Sequence, residues 1–133
     1  MSQNTTLAAR TGHRSLIVWD KAVTLAVNVT RLARLLPAPE RYSFAQQIRS
    51  AATSVAANIA EGKGRATRLD YARFLVIARG SAREVDTYVE VIRRLGYMKE
   101  AQLAPAQELV GEILRMLTAN AETTHATKGD LRP

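Results

Sequence analysis

The chain contains no cysteine, which excludes a disulfide framework, a thiol nucleophile and cysteine-ligated zinc, and suits a reducing cytoplasm. Histidine is nearly as scarce. Only His13 and His125 occur, both outside the stretches of regular apolar spacing. Neither a Ser/His/Asp triad nor a di-metal centre built on Glu-x-x-His pairs has the imidazoles it needs. The single match to that spacing, Glu122 to His125, falls near the C-terminal end. Aromatic residues make up 5% of the chain against 47% hydrophobic residues in total. That balance disfavours aromatic-rich sheets and favours helices of Ala, Leu and Val. No apolar run approaches the roughly 18 residues a membrane-spanning helix needs, and residues 1–14 lack the apolar core of a signal peptide. A phosphate-binding Gly-x4-Gly-Lys-Ser/Thr loop and a dinucleotide glycine fingerprint are also missing. These absences lead to the expectation of a soluble, cytoplasmic, non-enzymatic protein with no cofactor, no metal and no membrane partner.

What the chain does have is helical periodicity. Its 133 residues suffice for one domain with a core of its own. Val18, Ala22, Leu25, Val29, Leu32 and Leu36 recur at alternating spacings of four and three, predicting a first helix over 15–36 that Pro37 and Pro39 stop. A second helix over 40–61 carries Ile48, Ala52, Val55 and Ile59 on one face, with Gly62 as its left-handed cap. Thr67 followed by Asp70 reads as the capped start of a third helix over 67–95, closed by Gly96. A fourth, over 101–120, places Leu103, Ala106, Val110, Ile113 and Leu117 on one face, with Pro105 tolerable only in its first turn. The expected organisation is a bundle domain over 15–121 between disordered tails, 1–14 and 122–133. Short connections favour an all-α, antiparallel up-down-up-down four-helix bundle.

Two of these helices have more than one core face. Between Ser50 and Ala60 no residue is charged and most are Ala or Ser, which allows close approach from several sides. The third helix carries Tyr71, Leu75, Ala78, Ala82, Val85, Val89 and Ile92 on one stripe. Phe74, Ile77, Ser81, Glu84, Tyr88, Val91 and Leu95 form another beside it. Together they span about 200° where one core needs roughly 100°. Surface of that breadth predicts a homo-oligomer.

Nineteen Lys and Arg against twelve Asp and Glu give a formal charge of +7, which favours polyanionic partners such as RNA or DNA. The best anion-site candidate is the turn before the third helix, where Lys63, Arg65 and Arg68 surround Gly62 and Gly64, with Arg73 one turn on. Cationic side chains and free backbone N–H groups there suit phosphate. Arg79, Arg83, Arg93 and Arg94 are interleaved with Glu84, Asp86 and Glu90, the pattern of a salt-bridged face. A polar seam of Gln47, Asn58, Glu61, Ser81 and Glu84 flanks the apolar stripes and is expected to pair between helices. Trp19 and Tyr88 are read as core aromatics rather than base-stacking platforms. The competing expectation is an adaptor whose apolar surface takes a protein partner.

The stretch QQIRSAATSVAANIAEGKGR, followed by LDYARFLVIARGSAREVDTYVEVIRRLGYM, closely resembles the four-helix bundle proteins encoded by intervening sequences in bacterial 23S rRNA genes. The likeness covers about 15–117. Its most specific pieces are Gln47-Ile48-Arg49, Asn58-Ile59-Ala60-Glu61-Gly62, Ala78 to Ser81 with Glu84, and Leu95-Gly96-Tyr97. The resemblance implies a homopentameric barrel of bundles. The accessory variability determinant protein of diversity-generating retroelements, which works with a reverse transcriptase and nucleic acid, is a relative in fold. No reverse transcriptase is carried over to this chain.

Overall fold

A computed structural model of the protein describes residues 12–41 and 43–126. A 3-10 turn, Gly12–Ser15, precedes four long helices: α1 (Ile17–Ala33), α2 (Ser43–Lys63), α3 (Arg68–Leu95) and α4 (Glu100–Ala126). A single helical turn, Ala38–Arg41, lies between α1 and α2, and the described residues contain no strand. The helices form a cycle in which α1 packs on α2, α2 on α3, α3 on α4 and α4 on α1. Gln47 meets Tyr88, Ser54 meets Ser81, and Gly62 meets Phe74, so position falls along α3 as it rises along α2. The two run antiparallel. The result is a four-helix bundle.

The predicted stripes are the core. Val18, Leu25 and Val29 of α1 meet Ile48, Val55 and Ile59 of α2, Leu75, Val85 and Ile92 of α3, and Leu103, Ile113 and Leu117 of α4, all with 2% or less of their surface exposed. Each such side chain contributes about 1.5–3 kcal/mol by leaving water. Among the described residues no polar or charged residue is fully buried. Ala45, Ala51, Ala52 and Ala56 fill the buried face of α2 between its larger residues, which lets neighbouring helices approach closely. Trp19 and Tyr88 are half-buried and pack against this core.

Several ends differ from expectation, each for a local reason. α1 stops at Ala33, and the amides of Leu35 and Leu36 turn back in three-residue steps to Leu32 and Ala33, tightening the exit before Pro37. Gly62 is not a left-handed cap. It lies inside α2, buried, and among the described residues only Gly12 and Gly96 have positive φ. Space is what requires glycine there: a Cβ would lie 2.7 Å from Phe74 Cβ and 3.0 Å from Tyr71 Cδ1. At Gly96, with φ 73°, the amides of Gly96 and Tyr97 close on Arg93 and Ile92, the paired bonds of a Schellman ending.

α4 starts at Glu100, so Pro105 falls in its second turn rather than its first. Lacking an N–H, it leaves the Ala101 carbonyl without its usual donor. The start is closed instead by Gln102, whose Oε1 accepts the Lys99 amide at 2.8 Å. α4 also continues through 122–126, inside the stretch expected to be a disordered tail. At the other end, Gly12–Ser15 is a turn packed near α1 and α2. The remainder of both expected tails lies outside the described residues.

The surface outside the core corrects the expectation for α2. Its outer face is polar and small, with Gln46, Ser50, Thr53 and Ala57 exposed. The broad apolar surplus belongs to α3 alone of the two: Ile77, Val91 and Leu95 are 49%, 39% and 51% exposed. No helix among the described residues is long and apolar enough to cross a membrane.

Candidate nucleic-acid interface

The α2–α3 turn collects the predicted basic residues around two ring faces. Arg65 Nη2 donates to Glu61 Oε2 at 2.8 Å while its guanidinium carbon lies 4.7 Å from the centre of the Phe74 ring. Lys63 Nζ stands 5.8 Å from the centre of the Tyr71 ring. Cations over aromatic faces gain roughly 0.5–1 kcal/mol at exposed sites, enough to bias side-chain orientation without occupying the charge. Half-burial of Tyr71 raises its phenol above the ordinary value and keeps it neutral. Arg73 Nη1 lies 3.4 Å from Asp70 Oδ1. Arg68 has no hydrogen-bond or ion-pair partner among the described residues. The pairs of Arg65 and Arg73 are exposed, and such pairs are worth about 0–1 kcal/mol, so a phosphate can displace the carboxylates.

Some of the backbone N–H groups expected to be free at this turn are already used. Gly64 N–H is shared by the Ala60 and Glu61 carbonyls at 3.3 Å, and Arg65 N–H reaches Gly62 O at 3.0 Å. At the start of α3, Thr67 Oγ1 accepts the Asp70 amide at 3.1 Å. These donors are spent on ending α2 and starting α3. Recognition at this turn rests mainly on side chains, with the Arg68 and Leu69 amides at the start of α3 left without an acceptor among the described residues.

The polar seam divides rather than pairing throughout. Ser54 and Ser81 join hydroxyls across α2 and α3 at 2.9 Å, and Tyr88 OH donates to Gln47 Oε1. Asn58 instead turns within α2, its Nδ2 donating to Ser54 O at 2.8 Å and Ser54 Oγ at 2.9 Å. Glu61 stays on its own helix end with Arg65. Glu84 is exposed at the rim of a groove with Ser54 and Ala51, without an ion pair among the described residues. Ala51 and Glu61 are ten residues apart, about 15 Å along a helix, so Glu61 and Glu84 do not form a carboxylate pair. No cluster of three or more His, Asp or Glu suited to a metal ion occurs among the described residues.

Further along α3 the salt-bridged face forms only in part. Glu90 accepts from Arg94 Nε at 2.9 Å and from Arg93, which also reaches Glu100 at 2.8 Å and Gln107 on α4. The Arg94 hydrogen bond leads the interactions that hold the Glu90 carboxyl below its ordinary value. Glu84 and Asp86 make no such pairs among the described residues, leaving Arg79 and Arg83 without them. Sequence reasoning also missed a basic flank on the other side of α2, formed by Arg31, Arg34 and Arg49. The available signal was the absence of any acidic residue from Lys21 to Pro39.

Comparison with known proteins agrees with this architecture. A protein of unknown function from the S23 ribosomal protein family of Bacteroides thetaiotaomicron has a similar crystal structure, with TM-score 0.72 and 28% sequence identity. The match covers 77% of this chain and 96% of that one. No curated protein matches. A sequence profile for the 23S rRNA-intervening sequence protein matches residues 14–119, which span all of α1, α2 and α3 and most of α4. The chain belongs to the 23S rRNA-intervening sequence protein family.

Proposed function

We propose that this protein is a non-enzymatic, cytoplasmic, homo-oligomeric bundle that binds RNA or DNA electrostatically and with little sequence preference. The observation that carries this reading is the cation cluster of the α2–α3 turn. Lys63 and Arg65 lie over ring faces, Arg68 is without a partner among the described residues, and Arg73 is held only by an exposed carboxylate. Side chains of this kind neutralise phosphates and release counterions, giving affinity that falls steeply with salt. Assembly multiplies the effect, because a patch repeated around a ring engages one long polyanion at several points. The family resemblance supports a pentamer as the ring.

The test is a titration of labelled RNA and DNA with the parent protein and with Lys63→Glu/Arg65→Glu/Arg68→Glu. The charge-reversed protein is expected to bind at least about tenfold more weakly at low salt, with a shallower salt dependence. Equal binding by the two proteins, at every salt concentration, contradicts the role of the turn. The adaptor reading draws on a different observation, the exposed Ile77, Val91 and Leu95 flank of α3, which suits a protein partner. It predicts no nucleic-acid binding by the parent.

A further inference from the structure

On the opposite side of α2 from α3, an open groove of about 470 Å³ runs between α1 and α2. Its floor is apolar and small, with Val23, Ala26, Val27 and Ala56, and Val27 is 46% exposed. Thr30 and Thr53 line both this groove and the adjoining depression that contains Arg49, so the two are continuous. Arg31 and Arg34 stand at the rim, one helical turn apart at the C-terminal end of α1.

None of these three guanidinium groups has an ion pair among the described residues, in contrast to Arg65, Arg73, Arg93 and Arg94. Like charges gathered around one groove repel. The partial negative charge of the α1 C-terminus offsets some of this repulsion, and a bound polyanion would offset more.

We propose that this groove binds a single-stranded nucleic acid, with Arg31, Arg34 and Arg49 on successive phosphates and the Val23–Val27 floor against the unstacked bases. The proposal rests on the reading that the protein binds nucleic acid and adds a second surface to the α2–α3 turn. Guanidinium forks match phosphate oxygens in two-point contacts and shed water more readily than ammonium groups. The span from Val23 to Arg34 is about 16 Å of helix, room for a few nucleotides of an extended strand. A duplex keeps its bases stacked inside and cannot lay them on Val27. The groove has no aromatic side chain among its lining residues, so contact with the bases is apolar and tolerant of sequence.

The experiment measures fluorescence anisotropy of labelled oligo-uridine and oligo-thymidine dodecamers and of a hairpin duplex, from about 50 mM to about 300 mM salt. It compares the parent with the flank variant Arg31→Gln/Arg34→Gln/Arg49→Gln, the floor variant Val27→Asp, and the turn variant Lys63→Gln/Arg65→Gln/Arg68→Gln. Thermal melting by circular dichroism confirms that each remains folded.

The flank variant is expected to bind single strands at least about tenfold more weakly, with a log–log salt slope smaller by about 2, and the turn variant to keep that part of the slope. Val27→Asp should weaken single-strand binding more than duplex binding. A folded flank variant that binds like the parent overturns this site while leaving the proposed function standing. A parent that binds no oligonucleotide overturns both. Equal affinity for the hairpin, or equal competition by polyglutamate of the same charge, overturns the assignment to single-stranded nucleic acid.

Discussion

Gly62 and Phe74 approach so closely that a Cβ on Gly62 would lie 2.7 Å from the Phe74 Cβ. Because that neighbour is the root of a side chain on a packed helix, it cannot swing aside. This contact sets how near the end of α2 comes to the start of α3, and thereby where Lys63 and Arg65 stand relative to the Tyr71 and Phe74 rings.

Gly62→Ala is expected to destabilise the fold by about 1–3 kcal/mol through overpacking, despite the roughly 1 kcal/mol that alanine gains over glycine in a helix interior. Gly64→Ala is the contrast. Its Cβ would meet nothing closer than 3.6 Å and its φ is not positive, so no loss is expected. Urea unfolding midpoints of the two variants check the pair, and a loss at Gly64 equal to that at Gly62 contradicts the steric account.

The Arg94–Glu90–Arg93 cluster carries a pH signature. Glu90 is held below its ordinary value of 4.5, first by the Arg94 hydrogen bond. A carboxyl depressed in the folded state contributes stability that is present above 4.5 and is lost as pH falls through the folded value. Glu90→Gln should therefore flatten the acid limb of the stability profile, and the gap between variant and parent should close at the lowest pH. A constant gap at all pH values would assign the effect to packing.

The exposed apolar flank of α3 predicts assembly. At micromolar concentration, light scattering should give a multiple of the 14.6 kDa chain mass. Ile77→Glu/Leu95→Glu should return the protein to a monomer that still shows helical circular dichroism, since both side chains lie outside the core. A parent that runs at 14.6 kDa contradicts the expectation.

Much of the fold was legible because apolar spacing in a helix fixes which face meets the core. The stripes from Val18 to Leu36 and from Leu103 to Leu117 are all buried. Less legible was what small residues do. Ala and Ser between positions 50 and 60 fit a buried face or a wet one equally well, and spacing does not say how many neighbours a helix has. The Gly62 role was hidden because a cap and a close approach call for the same residue. The turn basic cluster was visible as adjacent letters. Arg31, Arg34 and Arg49 form a flank only once α1 and α2 are laid side by side, and the spent amides of Gly64, Arg65 and Asp70 are invisible without backbone geometry.

The salt dependence of nucleic-acid binding by the unmodified protein tests the central claim most directly. With three to four cations on phosphates of a single strand, the slope of log affinity against log salt should be about −2 to −3 for one turn patch, and steeper if the α1–α2 groove or further copies engage. Binding that is absent at low salt, or whose affinity does not change with salt, would contradict the account.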